Sequence, residues 1–462
     1  MTGERITLSA WIYAAMAVLA IFGALADAAF VIPITAVLII LYIAIEVRRI
    51  PRAQQIAGFV LLLIGTAGAL IGGEGQAVIA DGIARSRTFL VLFFAVAWLQ
   101  PPVSLSPALR ATRETIVTQP PGRRYLYLAS GVHVLGAVLN IAGFSLLTTI
   151  VDKDTPMDGT LRRRLSLALM QGFTAASCWS PFYIGTIVVL VAVPSLTWVE
   201  IAPYGVAMAT ILIAGNWVRD RIGRGKTSRQ ATARETVPLS RAHAIRAAGI
   251  LITLIILVTT LVETLHASIP VVLGLLAPPF GLIWYWTIAR ARSTAPRTVT
   301  VGAVPELAHR VIAALPTLRN ESLVFVAANV LGVGVASAVP TENLGDAFTT
   351  LIPWADARII AIILIFLACG SIGLHPVIVV VSLSAILPPE ALGLPDLIVG
   401  LTYMGCWGMS TMISPFSGTT LFMSRVTGVP GHIISWRWAP MVALTSAGLV
   451  AICVISARHL LA

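Results

Sequence analysis

The tripeptide Ser-Pro-Phe stands at 180–182 and again at 414–416, each copy inside an apolar stretch, separated by about half of the 462-residue chain. The first copy is surrounded by Thr174, Ser177, Cys178, Trp179, Gly185 and Thr186, and the second by Gly405, Trp407, Gly408, Ser410, Thr411, Ser417, Gly418, Thr419 and Thr420. Proline removes a backbone donor and clashes with the preceding helical turn. In hydrocarbon, the freed backbone groups are tolerated only where they are buried in protein or line a watery cavity. A half-helix starting at such a break presents free N–H groups and a positive dipole end to an anion. Unwound carbonyls and hydroxyls suit sodium, a hard cation that takes oxygen ligands. Either copy alone reads as a proline kink with helix-packing serines. Two copies at matching places in two halves point instead to a central binding site.

Composition states what must carry these breaks. The chain is 57% hydrophobic and 11% charged, with a mean hydropathy of +0.91, whereas soluble domains hold about 25% charged residues. It reads as an all-α polytopic membrane protein with no separate soluble domain. The stretch 8–26 runs straight into a second apolar segment without a cleavage site, so it reads as a span and not a signal peptide. The formal charge of +11 does not indicate nucleic acid as a partner, because the basic residues sit in short loops between spans. The four cysteines, Cys178, Cys369, Cys406 and Cys453, lie in apolar stretches with neither metal-ligand nor disulfide-framework spacing.

A bilayer crossing takes about 20 apolar helical residues. Eleven full spans are expected near 8–26, 28–47, 56–72, 88–104, 164–193, 200–218, 244–266, 268–290, 321–340, 396–424 and 438–457. Two further stretches, 125–151 and 357–387, carry glycine near the middle and fit better as re-entrant hairpins. With both as hairpins, all 31 Lys and Arg residues except Arg85, Arg87, Arg358 and Arg458 fall on one side, while the acids divide evenly. Basic loops are retained in the cytoplasm, which sets the amino terminus inside, the carboxyl terminus outside, and the hairpins on opposed faces. The expected organisation is a first span (1–27), an inverted repeat with a cytoplasmic hairpin (28–218), a cytoplasmic linker (219–243), and a second repeat with an outer hairpin (244–462). The linker's Arg219, Arg221, Arg224, Lys226 and Arg229 read as topology anchors. Segments 105–124 and 341–356, ahead of the hairpins, read as arms at a membrane surface.

The hairpin tips should face the breaks. The inner tip offers Asn140 and Ser145, the outer Ser371 and His375. An asparagine deep in an apolar stretch costs free energy unless bonded, so Asn140 is either a site ligand or helix glue. His375 reads as a substrate ligand, a proton carrier or a structural histidine; His133 is assigned no role. Candidate substrate ligands are thus Asn140, Ser177, Ser180, Ser371, His375, Thr411, Ser414 and Thr419. Asn140, Ser180, Ser371 and Ser414 are also the candidates for sodium, the one cofactor-like ion the pattern suggests. Carboxylates that relay protons in pumps are scarce here; Asp27 and Glu263 lie toward span edges. Asp152, Asp154 and Asp158 lack the ligand series and closing glutamate of a calcium loop. Nothing resembles a phosphate-binding loop or a nucleophile motif.

Eleven spans, two opposed hairpins and a broken helix after each resemble the ion transporter superfamily over about residues 28–457. That group includes divalent anion–sodium symporters, membrane subunits of tripartite periplasmic carriers, and arsenite and sodium–proton antiporters. The tips here read Leu139-Asn140-Ile141 and Gly370-Ser371-Ile372 where symporters carry Ser-Asn-Thr, and the break is Ser-Pro-Phe in place of Thr-Pro-Pro-Asn. The resemblance implies an elevator-type secondary transporter of a small, organic anion, driven by sodium or protons. Asn140, Ser177 and Ser180 would form an inner half-site, and Ser371, Ser414 and Thr419 an outer one. A permease subunit served by a solute-binding protein is the alternative. A membrane-embedded enzyme is disfavoured by the lack of a catalytic cluster at either face. The expected partners are the anion and membrane lipid, and the arrangement allows a homodimer.

Overall fold

The computed structural model describes residues 6–73, 75–223, 241–292 and 296–461. Within them the chain is helical throughout. The first half runs α1 (Leu8–Leu25), α2 (Val31–Glu46), α3 (Arg52–Ile71), α4 (Gly75–Leu105) and the short α5 (Pro107–Val117). Then come α6 (Pro121–Thr148), α7 (Gly159–Thr174), α8 (Ile184–Ala192) and α9 (Trp198–Ile222). The second half runs α10 (Arg241–Leu265), α11 (Ile269–Arg292), α12 (Pro296–Ala314), α13 (Arg319–Ala338) and the short α14 (Thr341–Leu351). It continues with α15 (Ala355–Ser371), α16 (Pro376–Ile386), the single turn α17 (Pro389–Leu392), α18 (Asp396–Ile413) and α19 (Gly418–Thr427). A one-turn α20 (Gly431–Ile433) passes through a π-helical turn into α21 (Pro440–Leu461). Most of the expected linker, 224–240, lies outside the described residues.

Among the described residues eleven helices are long and apolar enough to cross a membrane, and the protein is a polytopic helical membrane protein. Ten coincide with expected spans. The eleventh, 123–151, is not straight: Asn140 leaves helical geometry at φ 52°, ψ −136°. A Cβ on Gly143 would lie 2.3 Å from the Leu135 carbonyl oxygen, although residues eight apart in a straight helix are about 12 Å apart. The segment therefore doubles back as a helical hairpin. The expected span 164–193 is split between α7 and α8. The second hairpin is α15 and α16, joined through 372–375, with Gly373 at φ +94°. The arm α14 meets α15 at a bend of 109°.

The chain forms two compact units, each drawing on both halves of the sequence: 1–106 with 248–340, and 107–247 with 341–462. The first holds α1–α4 and α11–α13 with most of α10. Its tightest seam joins α3 to α13, where glycines let the backbones touch: a Cβ on Gly65 would lie 2.6 Å from the Val330 carbonyl oxygen, and one on Gly334 would lie 1.9 Å from that of Gly65. Small residues allow such close approach between membrane helices. At one end of this unit Glu46 is fully buried and is held by Ser9 (2.6 Å), Arg49 (2.9 Å) and Arg319 (3.5 Å), the pairing a buried carboxylate requires.

The second unit holds both hairpins, both Ser-Pro-Phe breaks, α9 and α21. Its centre is α18, buried at every residue from Ile398 to Ile413; a helix buried on every side belongs in a core. The outgoing arm of α6 runs in the same direction as α7, since His133, Ala137 and Asn140 bond in turn to Gly172, Ser180 and Phe182. In the same way α15 runs with α18, Phe366 beside Tyr403 and Gly370 beside Ser410. The broken helices run antiparallel to one another: Gly400 lies by Val189, Trp407 on Gly185 and Gly408 by Thr174. The two hairpins therefore enter this unit from opposite ends.

Candidate functional site

At the first break, α7 tightens into a 3-10 turn (Ala175–Cys178) and stays non-helical to Tyr183, because Pro181 has no N–H to donate. The Ser180 hydroxyl donates to the Ala137 carbonyl of the hairpin arm and accepts from the Phe182 N–H at 3.2 Å. Asn140, at the hairpin turn, donates from Nδ2 to the Phe182 carbonyl (3.3 Å) and accepts the Ile141 N–H at Oδ1 (2.9 Å). Hairpin tip and break are thus tied to each other at the residues singled out in the sequence. Ser177 faces elsewhere. Its hydroxyl lies 2.7 Å from the Thr174 carbonyl and 3.1 Å from that of Met404, so it links α7 to α18.

His133 and Trp179, given no role from sequence, join the same corner. Indole nitrogen only donates, so the 3.1 Å bond from Trp179 Nε1 makes His133 Nε2 the acceptor. The proton then sits on Nδ1, which donates to the Gly172 carbonyl at 3.2 Å. Both ring nitrogens are engaged in the neutral form, and Trp198 Nε1 donates to the Trp179 carbonyl at 2.6 Å. The sequence signal was the placement of His133, Gly136 and Asn140 at i, i+3 and i+7, one face of the arm.

At the second break the chain leaves α18 at Ser414 and re-enters helix at Gly418. Ser417 caps α19, accepting the Thr420 N–H at 3.2 Å and donating to the Thr411 carbonyl at 2.5 Å. Thr411 itself donates to the Gly408 carbonyl (2.8 Å). Thr419 is buried in the first turn of α19. Ser414 is buried, and its hydroxyl has no hydrogen-bond partner among the described residues; Ser410, one turn earlier, is the same. Ser410 faces the second hairpin, where a Cβ on Gly370 would come within 2.7 Å of its hydroxyl oxygen. Of the tip residues, Ser371 donates to the Leu367 carbonyl (2.7 Å), and its own carbonyl accepts from Trp436 Nε1 (3.0 Å). His375 caps α16, its Nδ1 accepting the Val377 N–H at 3.2 Å. Its ring stands edge-on to Trp407, 5.8 Å between centroids. The tryptophan in turn lies on Gly185, near the start of α8.

The two copies of the tripeptide differ in one side chain. Phe182 is 1% exposed, whereas Phe416 is 58% exposed and lies over Gly373 at the tip of the second hairpin. Around both breaks and both tips the residues are neutral: 133–145, 171–186, 366–377 and 404–420 contain no Asp, Glu, Lys or Arg. The electrostatic features that remain there are the starts of α8 and α19, which carry partial positive charge, and carbonyl, amide and hydroxyl groups. Among the described residues no group of three His, Cys, Asp or Glu side chains is placed to hold a metal ion.

These elements define an all-helical membrane protein whose second unit is built from two hairpins and two interrupted helices. No family model matches the chain, and no curated protein matches it in sequence. Among solved structures, the YdaH transporter of Alcanivorax borkumensis, described as having an unusual topology, aligns with a TM-score of 0.52. The alignment covers 88% of this chain and 99% of that one at 13% identity, a likeness of fold.

Proposed function

We propose that this chain is a secondary active transporter that carries a small organic anion across the membrane. The observation that carries the reading is the pairing, inside one unit, of each hairpin tip with a broken helix, with the Ser410 hydroxyl buried and unpartnered beside the second tip and the Ser414 hydroxyl buried and unpartnered at the second break. A buried hydroxyl without a partner costs free energy, and a ligand that accepts its proton removes that cost. The starts of α8 and α19 favour an anion. The fold shared with a known transporter supports the same reading.

Sodium is the proposed coupling ion. The site offers neutral oxygens and no carboxylate, and the Nδ1 lone pair of His375 is already used to cap α16, so a proton there would break the cap. The confinement of both half-sites to one unit supports an elevator-type cycle in which that unit carries the substrate. The charge distribution supports a cytoplasmic amino terminus and an outer carboxyl terminus. Purified protein in liposomes, loaded with a sodium or pH gradient and offered a panel of labelled carboxylates, tests the proposal. Sodium-driven uptake of at least one carboxylate, lost in Ser414→Ala with Asn140→Ala, is the expected outcome. Absence of uptake under either gradient, with no anion raising the melting temperature, would overturn it.

A further inference from the structure

On the face of α7 turned toward α18, two turns before the first break, Gln171 is 2% exposed, and neither Nε2 nor Oε1 has a hydrogen-bond partner among the described residues. An amide buried in this way is costly to folding when nothing bonds to it. Membrane helices normally satisfy such groups. Gln171 lines a cavity of about 10 Å³ at the junction of α7, α9, α18 and α21. Thr174, Cys178, Gly408, Met412 and Ser446 also line it. The space admits about one water molecule. Its polar lining has spare capacity. The Thr174 hydroxyl donates to the Gln171 carbonyl at 3.2 Å and keeps lone pairs to accept with. Ser446 accepts from Asn216 Nδ2 at 3.1 Å and keeps its own proton to donate.

We infer that Gln171 holds a single ordered water between the two interrupted helices, at a site separate from the hairpin tips. The occupant must serve a donor and an acceptor on the same amide, which water does and a cation does not. A hard cation surrounds itself with oxygens. Here three neutral side-chain oxygens share the lining with the thiol of Cys178 and the thioethers of Met409 and Met412, and the amide N–H groups would face the positive charge. An apolar occupant would leave the amide unbonded. The water completes hydrogen bonding at the crossing of α7 and α18, where neither helix supplies a partner.

X-ray radiolytic labelling of the full chain in nanodiscs, in ¹⁸O water with mass-spectrometric readout, tests the site. Radicals made from a bound water oxidise its immediate neighbours. Cys178 and Met412 are each 1% exposed and are otherwise shielded. Oxidation of Cys178 and Met412 is expected in the natural protein. It should be lost in Gln171→Leu, with Met441, 59% exposed, labelled equally in both. Gln171→Met serves the same purpose should the leucine variant not fold, and the natural protein alone decides the first half of the test. No oxidation at these two residues, or oxidation unchanged in a folded Gln171 variant, refutes the site. Replacing sodium by choline separates the occupants. Unchanged labelling is the result for water, and labelling that appears only without sodium assigns the cavity to the cation and overturns the inference.

Discussion

Ser180 and Ser414 occupy equivalent places in the two tripeptides, yet their hydroxyls are used differently. Ser180 holds the hairpin arm and its own turn, while Ser414 holds nothing. Ser180→Ala is therefore expected to lower stability by about 0.5–1.5 kcal/mol, the net value of a neutral hydrogen bond. Ser414→Ala should leave the melting temperature unchanged or raised and weaken anion binding by about 2- to 13-fold, the same bond counted against the ligand. Melting curves and binding isotherms for both variants, with Thr445→Ala on α21, half-buried and bonded only within its own helix, as a control, separate the two roles. His133→Phe should destabilise without acting on the ligand directly, because the Trp179 indole N–H loses its acceptor, a loss of about 1–3 kcal/mol. Direction of side chains is what the sequence conceals at this scale. Ser177, Ser180 and Ser414 all lie in broken, apolar segments, and only the packing of α7 against α18 turns Ser177 toward Met404.

Breaks and hairpins were legible because a membrane helix has a fixed length to fill. Proline in mid-span and glycine in the middle of an overlong apolar stretch both signal interruption, and both interruptions are present. Helix ends were less legible. The span expected at 88–104 begins at Gly75, since outside hydrocarbon a helix can continue through charged turns, here with Arg85 paired to Asp81 at 2.7 Å. The hairpin turn itself gives a prediction. Asn140 sits at positive φ, where glycine is unstrained and a residue with Cβ costs about 1–3 kcal/mol. Asn140→Gly should fold better than Asn140→Ala by that order, and both should lose the amide bond to Phe182 and bind anion more weakly. At the start of α7 the Asp158 carboxylate accepts the N–H groups of Leu161 and Thr160, which hold its pKa below the ordinary aspartate range. Because the folded-state pKa is depressed, the cap is intact above the unfolded value and is lost as pH falls through the folded one. Asp158→Asn should remove that acid dependence from local hydrogen exchange at α7 while keeping a cap.

At the scale of the molecule, the two units interleave the halves of the sequence, which no local pattern announces. Glycines at 65 and 334 meet because distant segments pack, and nothing near either residue names its partner. Sidedness was read from charge and remains a prediction with a direct measurement. Asp158, the cap of α7, and Glu390, on the single turn α17, are both exposed and follow opposite hairpins. Single cysteines there, in a background lacking the four natural cysteines, should label from the cytoplasm and from the exterior respectively. Labelling of position 158 from outside intact cells would reverse the proposed orientation.

The glycine seam between α3 and α13 has a mechanical meaning. With peptide resting on peptide, no layer of side chains can change rotamer to absorb sliding, so relative motion of these helices must lift one backbone over another. The first unit is in that sense stiff along this seam. Gly65→Ala, which would set a methyl against the Val330 carbonyl, should force the seam apart, lower the melting temperature and slow transport, although it lies in the other unit from both hairpins.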